Sequence, residues 1–453
     1  MLETVAAPEP NGRPDGVWSM NTARAESGEV TVAGVPVSLI AAQFGTPTYI
    51  LDEADMRTRA RAWVEAMEKA FTSLAGADVY YAGKAFLSKA VARWMMDEGL
   101  NIDAASEGEL RTALAGGVPG SRIGLHGNNK SEAEIALAID SGIAHIVIDS
   151  IPEIAKVARI ASERGRSAPV YVRLTTGVHA GGHDFIQTAH EDQKFGLSVT
   201  SGAAYDAITQ IAGTPGLKLV GIHSHIGSQI LSTDGFAEAA KVVLDVRAWA
   251  AQRGIEIPEV DLGGGYGVRY TSQDAVPPAP EDFAEVLAQA VRAHCDATGL
   301  PAPRISIEPG RSIVAPAMMT LYTVGTMKDV ATDSGPRRYI SVDGGMSDNL
   351  RPALYGANYT AAVVGREATG AGCRSRVVGK HCESGDILVK DVSLPPVEIG
   401  DLLAVPVTGA YGRSMGSNYN MLPRPGVIAV RDGQCTVLLR RETIEDQLAY
   451  DLG

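Results

Sequence analysis

From residue 78 onward, short runs rich in β-branched and aromatic residues alternate with stretches whose apolar positions recur at helical spacing. The strand-like runs are "DVYYAGK", "NIDAAS", "IGLHG", "HIVIDS", "PVYVRL", "LVGIHSHIG", "EVDLGGG" and "ISIEPG". Between them lie amphipathic segments such as "SKAVARWMMDEG", "SEAEIALAIDSG" and "IPEIAKVARIASERG", each ending in the glycine that helix C-termini favour. This alternation predicts parallel strands joined by helical crossovers, and eight of them predict a closed (β/α)8 barrel. An open doubly wound sheet would place a G-x-G-x-x-G turn after its first strand, and "YYAGKAF" has none. An earlier strand, "PTYILD", makes a ninth and is expected outside the barrel.

After Arg311 the helical period fades. "MMTLYTVGTMKDV", "RRYISVDGG", "SRVVGKHC", "DILVKDVSL", "DLLAVPVTG", "GVIAVRDG" and "CTVLLRRE" read as strands separated by turn residues, a second and mostly antiparallel β domain. The first residues, "MLETVAAPEPNGRPDG", are acidic and rich in proline and glycine, without the basic start and apolar run of a signal peptide. The expected division is a mobile tail over residues 1–30, a segment 31–52 joining the β domain, a barrel over 53–311 and a β domain over 312–453.

Charge and cysteines narrow the function. The chain has 453 residues and a net charge of −13, which argues against binding a phosphate backbone. Its cysteines, Cys295, Cys373, Cys382 and Cys435, have no paired spacing, as expected for reduced thiols in the cytoplasm. No apolar run is long enough to span a bilayer, so no membrane partner is expected.

Functional groups in such barrels gather at the C-terminal strand ends. Those ends carry Lys84, Asp103, His126, Asp149, Arg173, His223 with His225, Gly263–Gly265, and Glu308 with Arg311. A barrel interior is otherwise expected to be apolar, so these polar groups point to a site, although Asp149 alone reads equally as a helix cap. Three consecutive glycines after strand seven, followed by "EPGR", fit a phosphate cradle better than a simple turn. "HSHIGS" has two readings. His223 and His225 could bind a metal, as in barrel hydrolases, but later strand ends offer only Glu308 and a cation, Arg311. His179 and His183 in "HAGGHDF" lack matching ligands, so no metal is expected. The alternative is an imidazole stacked on a flat ring, with the Ser228 hydroxyl toward phosphate. Lys84 alone reads as a surface lysine. With a phosphate cradle, an imidazole and a lone carboxylate beside it, the set matches pyridoxal 5'-phosphate: Lys84 for the Schiff base, and Glu308 to keep the ring nitrogen protonated.

The motifs "YAGKAF", "HSHIGSQ", "DLGGGYG", "EPGR", "DGGMSDNLRPALYGA", "CESGD" and "GAYGRSMGSNYN", in this order, resemble the diaminopimelate decarboxylase family, pyridoxal-phosphate enzymes of the alanine-racemase-like fold. "HGNNKS" and "HDFIQTAHEDQKFGL" are similar too, and the resemblance runs from about Gly45 to the C-terminus. It implies decarboxylation of meso-2,6-diaminopimelate to L-lysine and carbon dioxide at the D-configured centre, by a homodimer with shared active sites. Lys84 is then the Schiff-base lysine and His225 the stacking residue. Ser228, Gly264, Gly265, Glu308, Gly310 and Arg311 surround the cofactor, while Arg311, Arg351 and Tyr355 bind substrate. Cys382 is the proton donor, entering from the partner subunit with Glu383, and Tyr411 lies near both phosphate and substrate. Two guanidinium groups and an acid suit the far aminocarboxylate of the substrate, whereas Arg351 would repel the bare amine of ornithine or lysine.

The chain departs from the family pattern at Ser224, Leu350, Gly412 and Arg413. Other readings are a decarboxylase of ornithine, arginine or a carrier-bound amino acid, a metal-dependent barrel hydrolase, and a non-catalytic relative.

Overall fold

The computed structural model describes residues 17–178, 194–333 and 335–453. His179 and His183 lie outside the described residues. The chain forms two compact units. One is a barrel built from Arg59–Gly267 and Pro277–Ser312; the other is a β unit built from residues up to Thr58, Val268–Val276 and Ile313–Gly453.

The described chain opens with β1 (Thr22–Arg24), β2 (Val30–Val32) and β3 (Val35–Pro36), an antiparallel sheet, followed by α1 (Val37–Phe44), β4 (Thr48–Asp52) and α2 (Glu53–Phe71). β1 falls inside the stretch 1–30 expected as a tail, and that expectation is corrected for residues 17–30; residues 1–16 lie outside the described residues. Two buried carboxylates hold this segment: Asp55 accepts the Met20 N–H and Asp52 accepts the Asn21 N–H, each at 3.1 Å.

The barrel follows in strict alternation: β5 (Ala77–Ala82), α3 (Lys89–Asp97), β6 (Asn101–Ala104), α4 (Glu107–Ala115), β7 (Ile123–Leu125), α5 (Glu132–Asp140), β8 (His145–Ile148), α6 (Ile151–Glu163) and β9 (Ala168–Thr175). A two-residue strand β10 (Leu197–Ser198) then pairs on β9, before α7 (Ala203–Ala212), β11 (Leu217–Ser224), α8 (Asp234–Ala251), β12 (Glu259–Asp261), α9 (Pro280–Thr298) and β13 (Arg304–Ile307). All eight barrel strands are parallel, and the pairing of β13 with β5, Ile307 opposite Val79, closes the ring. Helix starts follow local chemistry. Ser106 caps α4, and Ser131 with Glu134 forms a reciprocal capping box on α5.

Strand period decides what faces where. One set of alternate positions, including Val79, Tyr81, Ile102, Ile146, Ile148, Val172, Ile222 and Ile307, is buried and apolar. The other set faces the barrel axis and is largely polar. His145 stacks on Tyr171 at 3.8 Å between centroids, His126 meets His223 from a non-adjacent strand at 5.1 Å, and the Tyr171 hydroxyl donates to Glu259. The expectation of an apolar interior is therefore corrected: apolar surface is spent against the helices, and hydrogen-bonding groups fill the axis. Gly221 is where a side chain is impossible, since a Cβ there would lie 2.4 Å from the Tyr171 ring.

After α10 (Arg311–Val314), whose first two residues belong to the barrel, the β unit continues through β14 (Met318–Thr332), β15 (Gly335–Val342), α11 (Arg351–Tyr355), β16 (Ala362–Val363), β17 (Cys373–Val378), β18 (Ile387–Leu394), β19 (Leu402–Val405), β20 (Gly426–Arg431), β21 (Gln434–Leu439) and α12 (Ile444–Leu448). Its main sheet has the order β18-β17-β15-β14-β4-β20-β21. The early strand "PTYILD" is thus β4, lying between β14 (antiparallel) and β20 (parallel).

Candidate active site

Lys84 follows β5 in a tight turn, with the Gly83 N–H donating to the Asp103 carbonyl at 3.0 Å and Ala85 N–H to the Ala82 carbonyl at 3.1 Å. Its side chain is exposed, and its charge bears on Asp103, Glu109, His223 and His225.

Glu308 directly follows β13 and is 5% exposed. Its Oε1 lies 2.8 Å from His223 Nε2 and 3.6 Å from His126 Nε2, while His126 also meets Asp103 Oδ1 at 3.1 Å. Burial alone would raise the Glu308 carboxyl, but His223, His126 and His225 together hold it well below the usual range. Burial, then the charge of Glu308, drives Asp103 and Asp261 well above theirs. Of three buried carboxyls, Glu308 therefore keeps the negative charge. Burial also pushes His126, His223 and His225 below the normal imidazole range. The dependence of Glu308 on His126 and His223 is not evident from sequence. Its signal was the row of polar strand ends, which does not say which strands meet across the axis.

The phosphate-type elements adjoin one another. Gly264 N–H donates to His225 Nδ1 at 3.3 Å, orienting the ring. The Arg311 guanidinium donates to Ser228 Oγ at 2.8 Å and is buried. A Cβ on Gly265 would lie 2.6 Å from the Gly227 carbonyl, on Gly264 2.3 Å from that of Glu308, and on Gly310 2.9 Å from Ala82 Cβ. These glycines let three loops pack backbone against backbone.

Potential metal ligands also cluster. His126, His223 and Glu308, and separately Asp103, His126 and His145, bring ligand atoms within 4.8 Å of one another. His225, half of the sequence-level metal reading, belongs to neither group.

In the β unit, Arg351 opens α11 and is 5% exposed. Its Nη1 donates to the Tyr359 hydroxyl at 2.8 Å, and its guanidinium lies 4.7 Å over the Tyr270 ring. Burial opposes its charge, but Tyr270, Tyr359 and Tyr411 more than offset this and raise its pKa. Tyr270 and Tyr359 were not picked out from sequence, being 89 residues apart by their numbers with no shared motif. Tyr411 takes a left-handed backbone, φ 60°, uncommon for a non-glycine residue. Gly412, a departure from the family pattern, has a steric reason, because a Cβ would lie 2.5 Å from the Thr408 carbonyl. Tyr355 is half-buried, whereas Cys382 and Glu383 are exposed in the loop after β17.

Compared with known proteins, residues 53–315 match the family model "Pyridoxal-dependent decarboxylase, pyridoxal binding domain". Diaminopimelate decarboxylase of Mycobacterium bovis is 48% identical over 96% of this chain and 98% of its own length. That of Bacillus subtilis is 43% identical over 94% and 96%. The crystal structure of diaminopimelate decarboxylase from M. jannaschii in complex with L-lysine superposes with a TM-score of 0.89 at 31% identity, covering 96% of this chain and 98% of that one. With this sequence similarity, this fold and this strand-end chemistry, the chain belongs to the diaminopimelate decarboxylase family of pyridoxal-dependent decarboxylases.

Proposed function

We propose that the protein decarboxylates meso-2,6-diaminopimelate at its D-configured centre, releasing carbon dioxide and L-lysine. The observation that carries this reading is the 48% identity, across 96% of the chain, to a relative named for that activity. The barrel mouth fits pyridoxal 5'-phosphate on its own chemistry: an amine at Lys84, a carboxylate kept ionised at Glu308, and glycine turns beside a buried guanidinium hydrogen-bonded to Ser228.

When bound there, the cofactor would supply a sink for the electron pair left by departing carbon dioxide. Lys84 would hold it covalently. His225, oriented by Gly264, would cover one ring face. Glu308, with Oε1 2.8 Å from His223 Nε2, would face the ring nitrogen and keep a proton there. Ser228, Gly265, Gly310, Arg311 and Tyr411 would bind phosphate. Arg311, Arg351, Tyr355, Tyr411 and Glu383 would bind the substrate, the permanently charged Arg351 selecting its far carboxylate. Cys382 would deliver a proton from Sγ to the substrate carbon.

We further infer a homodimer in which Cys382 and Glu383 come from the partner subunit; both are exposed on a single chain, as are Met421, Ile444, Leu448 and Tyr450 of the same unit. A cytoplasmic location agrees with four free cysteines; among the described residues no helix is long and apolar enough to cross a membrane.

The test is product analysis with meso-diaminopimelate and added pyridoxal phosphate. Equal amounts of L-lysine and carbon dioxide are expected, and Lys84→Ala should abolish both turnover and the visible absorbance of bound cofactor. Absence of lysine would overturn the substrate assignment. Stoichiometric zinc without cofactor absorbance would favour metal at His126, His223 and Glu308.

A further inference from the structure

The loop carrying Cys382 is built around one buried carboxylate. Asp386, 3% exposed, accepts the Met346 N–H at 2.6 Å, the His381 N–H at 2.9 Å and His381 Nδ1 at 2.9 Å. His381 is itself buried and stacks on Tyr419, with centroids 5.5 Å apart and planes within 4°. On the other side of the thiol, the Cys382 N–H donates to Asn420 Oδ1 at 3.0 Å, and Asn420 takes a left-handed backbone. Two glycines make the approach possible. A Cβ on Gly345 would sit 2.5 Å from His381 Nδ1, and one on Gly379 would sit 2.2 Å from Asp386 Oδ2. Met346 belongs to the loop that ends in Arg351, so a single carboxylate ties the Arg351 loop to the Cys382 loop.

We propose that Asp386 and His381 are positioning residues that fix the Cys382 thiol relative to the Arg351 loop. Neither touches the reacting atoms; they act through the backbone on either side of Cys382. A carboxylate accepting two backbone N–H groups and one imidazole N–H is held from three directions, and stripping a buried carboxylate of one of these partners is costly. Loss of the imidazole donor would leave Asp386 short of a partner and free the loop, moving the thiol while Arg351 keeps its contacts with Tyr270 and Tyr359. The catalytic part of this inference rests on the proposed role of Cys382 as proton donor; the holding of the loop does not.

The experiment compares His381→Leu, His381→Asn, Asp386→Asn and Cys382→Ala. Asparagine at 381 can return an N–H near the position of Nδ1, whereas leucine cannot. In His381→Leu, iodoacetamide should label Cys382 roughly threefold faster or more, with and without pyridoxal phosphate, against Cys295, Cys373 and Cys435 as references. Its kcat should fall by about tenfold and its KM should rise by less, since the freed loop carries both the proton donor and Glu383 while Arg351 and Tyr355 keep their places. A second readout is where the proton goes. If the proton were delivered to the cofactor instead of the substrate carbon, carbon dioxide would still leave, and hydrolysis by one water would release the remainder of the substrate as an amino acid bearing an aldehyde, with the amino group retained as pyridoxamine phosphate. That fraction should rise in His381→Leu toward its level in Cys382→Ala and fall again in His381→Asn. Unchanged labelling and product partition in His381→Leu, or no rescue by His381→Asn, would overturn the proposal. Wild-type turnover in Cys382→Ala would remove the proton-donor role, and labelling would still decide whether the pair holds the loop. Should His381→Leu not fold, Asp386→Asn must show the same faster labelling, and normal labelling there would equally overturn it.

Discussion

Gly264 offers a steric test of the barrel mouth. It has no left-handed φ, so alanine there costs little backbone strain and the whole effect is collision. The new Cβ would lie 2.3 Å from the Glu308 carbonyl oxygen, so the end of β13 must retreat by about 0.7 Å to reach even 3.0 Å. The Gly264 N–H also holds His225 Nδ1, so carboxylate and imidazole shift together. Displacing groups that must be aligned by up to 1 Å costs on the order of 100-fold, so Gly264→Ala should lower kcat/KM by roughly 30- to 100-fold, about 2–3 kcal/mol of transition-state stabilisation. Steady-state assays with meso-diaminopimelate and a spectroscopic titration with pyridoxal phosphate would measure it. The control is Gly299→Ala. That residue has φ 70° and open space around it, so it should cost about 1–2 kcal/mol in stability and leave kcat/KM unchanged. A Gly264→Ala enzyme with normal kcat/KM and cofactor affinity would refute the reasoning that this turn sets the Glu308–His225 geometry.

Lys130 is 2% exposed and donates to both Glu153 oxygens at 3.1 Å and to the Gly127 and Val147 carbonyls. Lys130→Met should cost about 3–5 kcal/mol by leaving a buried charge uncompensated, and Lys130→Met/Glu153→Gln should recover part of it in thermal melts. Burial lowers His145 to about 3, so the unfolded state binds the extra proton below about pH 6.5. Its stability contribution is present above that pH and lost on acidification; relative to His145→Phe, the wild type should lose about 1.4 kcal/mol per pH unit between pH 6 and 4 in denaturant titrations. Arg351→Lys keeps the charge but loses the planar fork held by Tyr359 and Tyr270, and should raise KM for meso-diaminopimelate by about tenfold.

Much of the architecture can be read from the period of the sequence. Eight β-type runs separated by amphipathic stretches foretell a barrel, because crossover helices impose that alternation. The polar axis could not be read the same way. Strands as short as Glu259–Asp261 show too few positions to reveal which face turns inward, and the meeting of His126 with His223 depends on ring closure rather than neighbouring sequence. The same holds for Val268–Val276, which lies within the barrel's sequence yet belongs to the β unit and carries Tyr270 to Arg351. Lys84, Glu308 and the glycine turns stand out because their chemistry is local to single strand ends. The Asp386 network does not, because its members come from three separate loops.

The placement of β4 has a consequence for biosynthesis. Thr48 pairs with Gly426, so a strand made early must wait for one made 378 residues later. At translation speeds of about 5–20 residues per second, that interval is roughly 20–75 s. Throughout it the barrel strands, all encoded between the two, can close on the ribosome, while β4 keeps an apolar edge unpaired. Nascent chains stalled before Gly426 should therefore recruit chaperones through residues 48–52, and a premature stop in β20 should yield an aggregation-prone protein with an intact barrel.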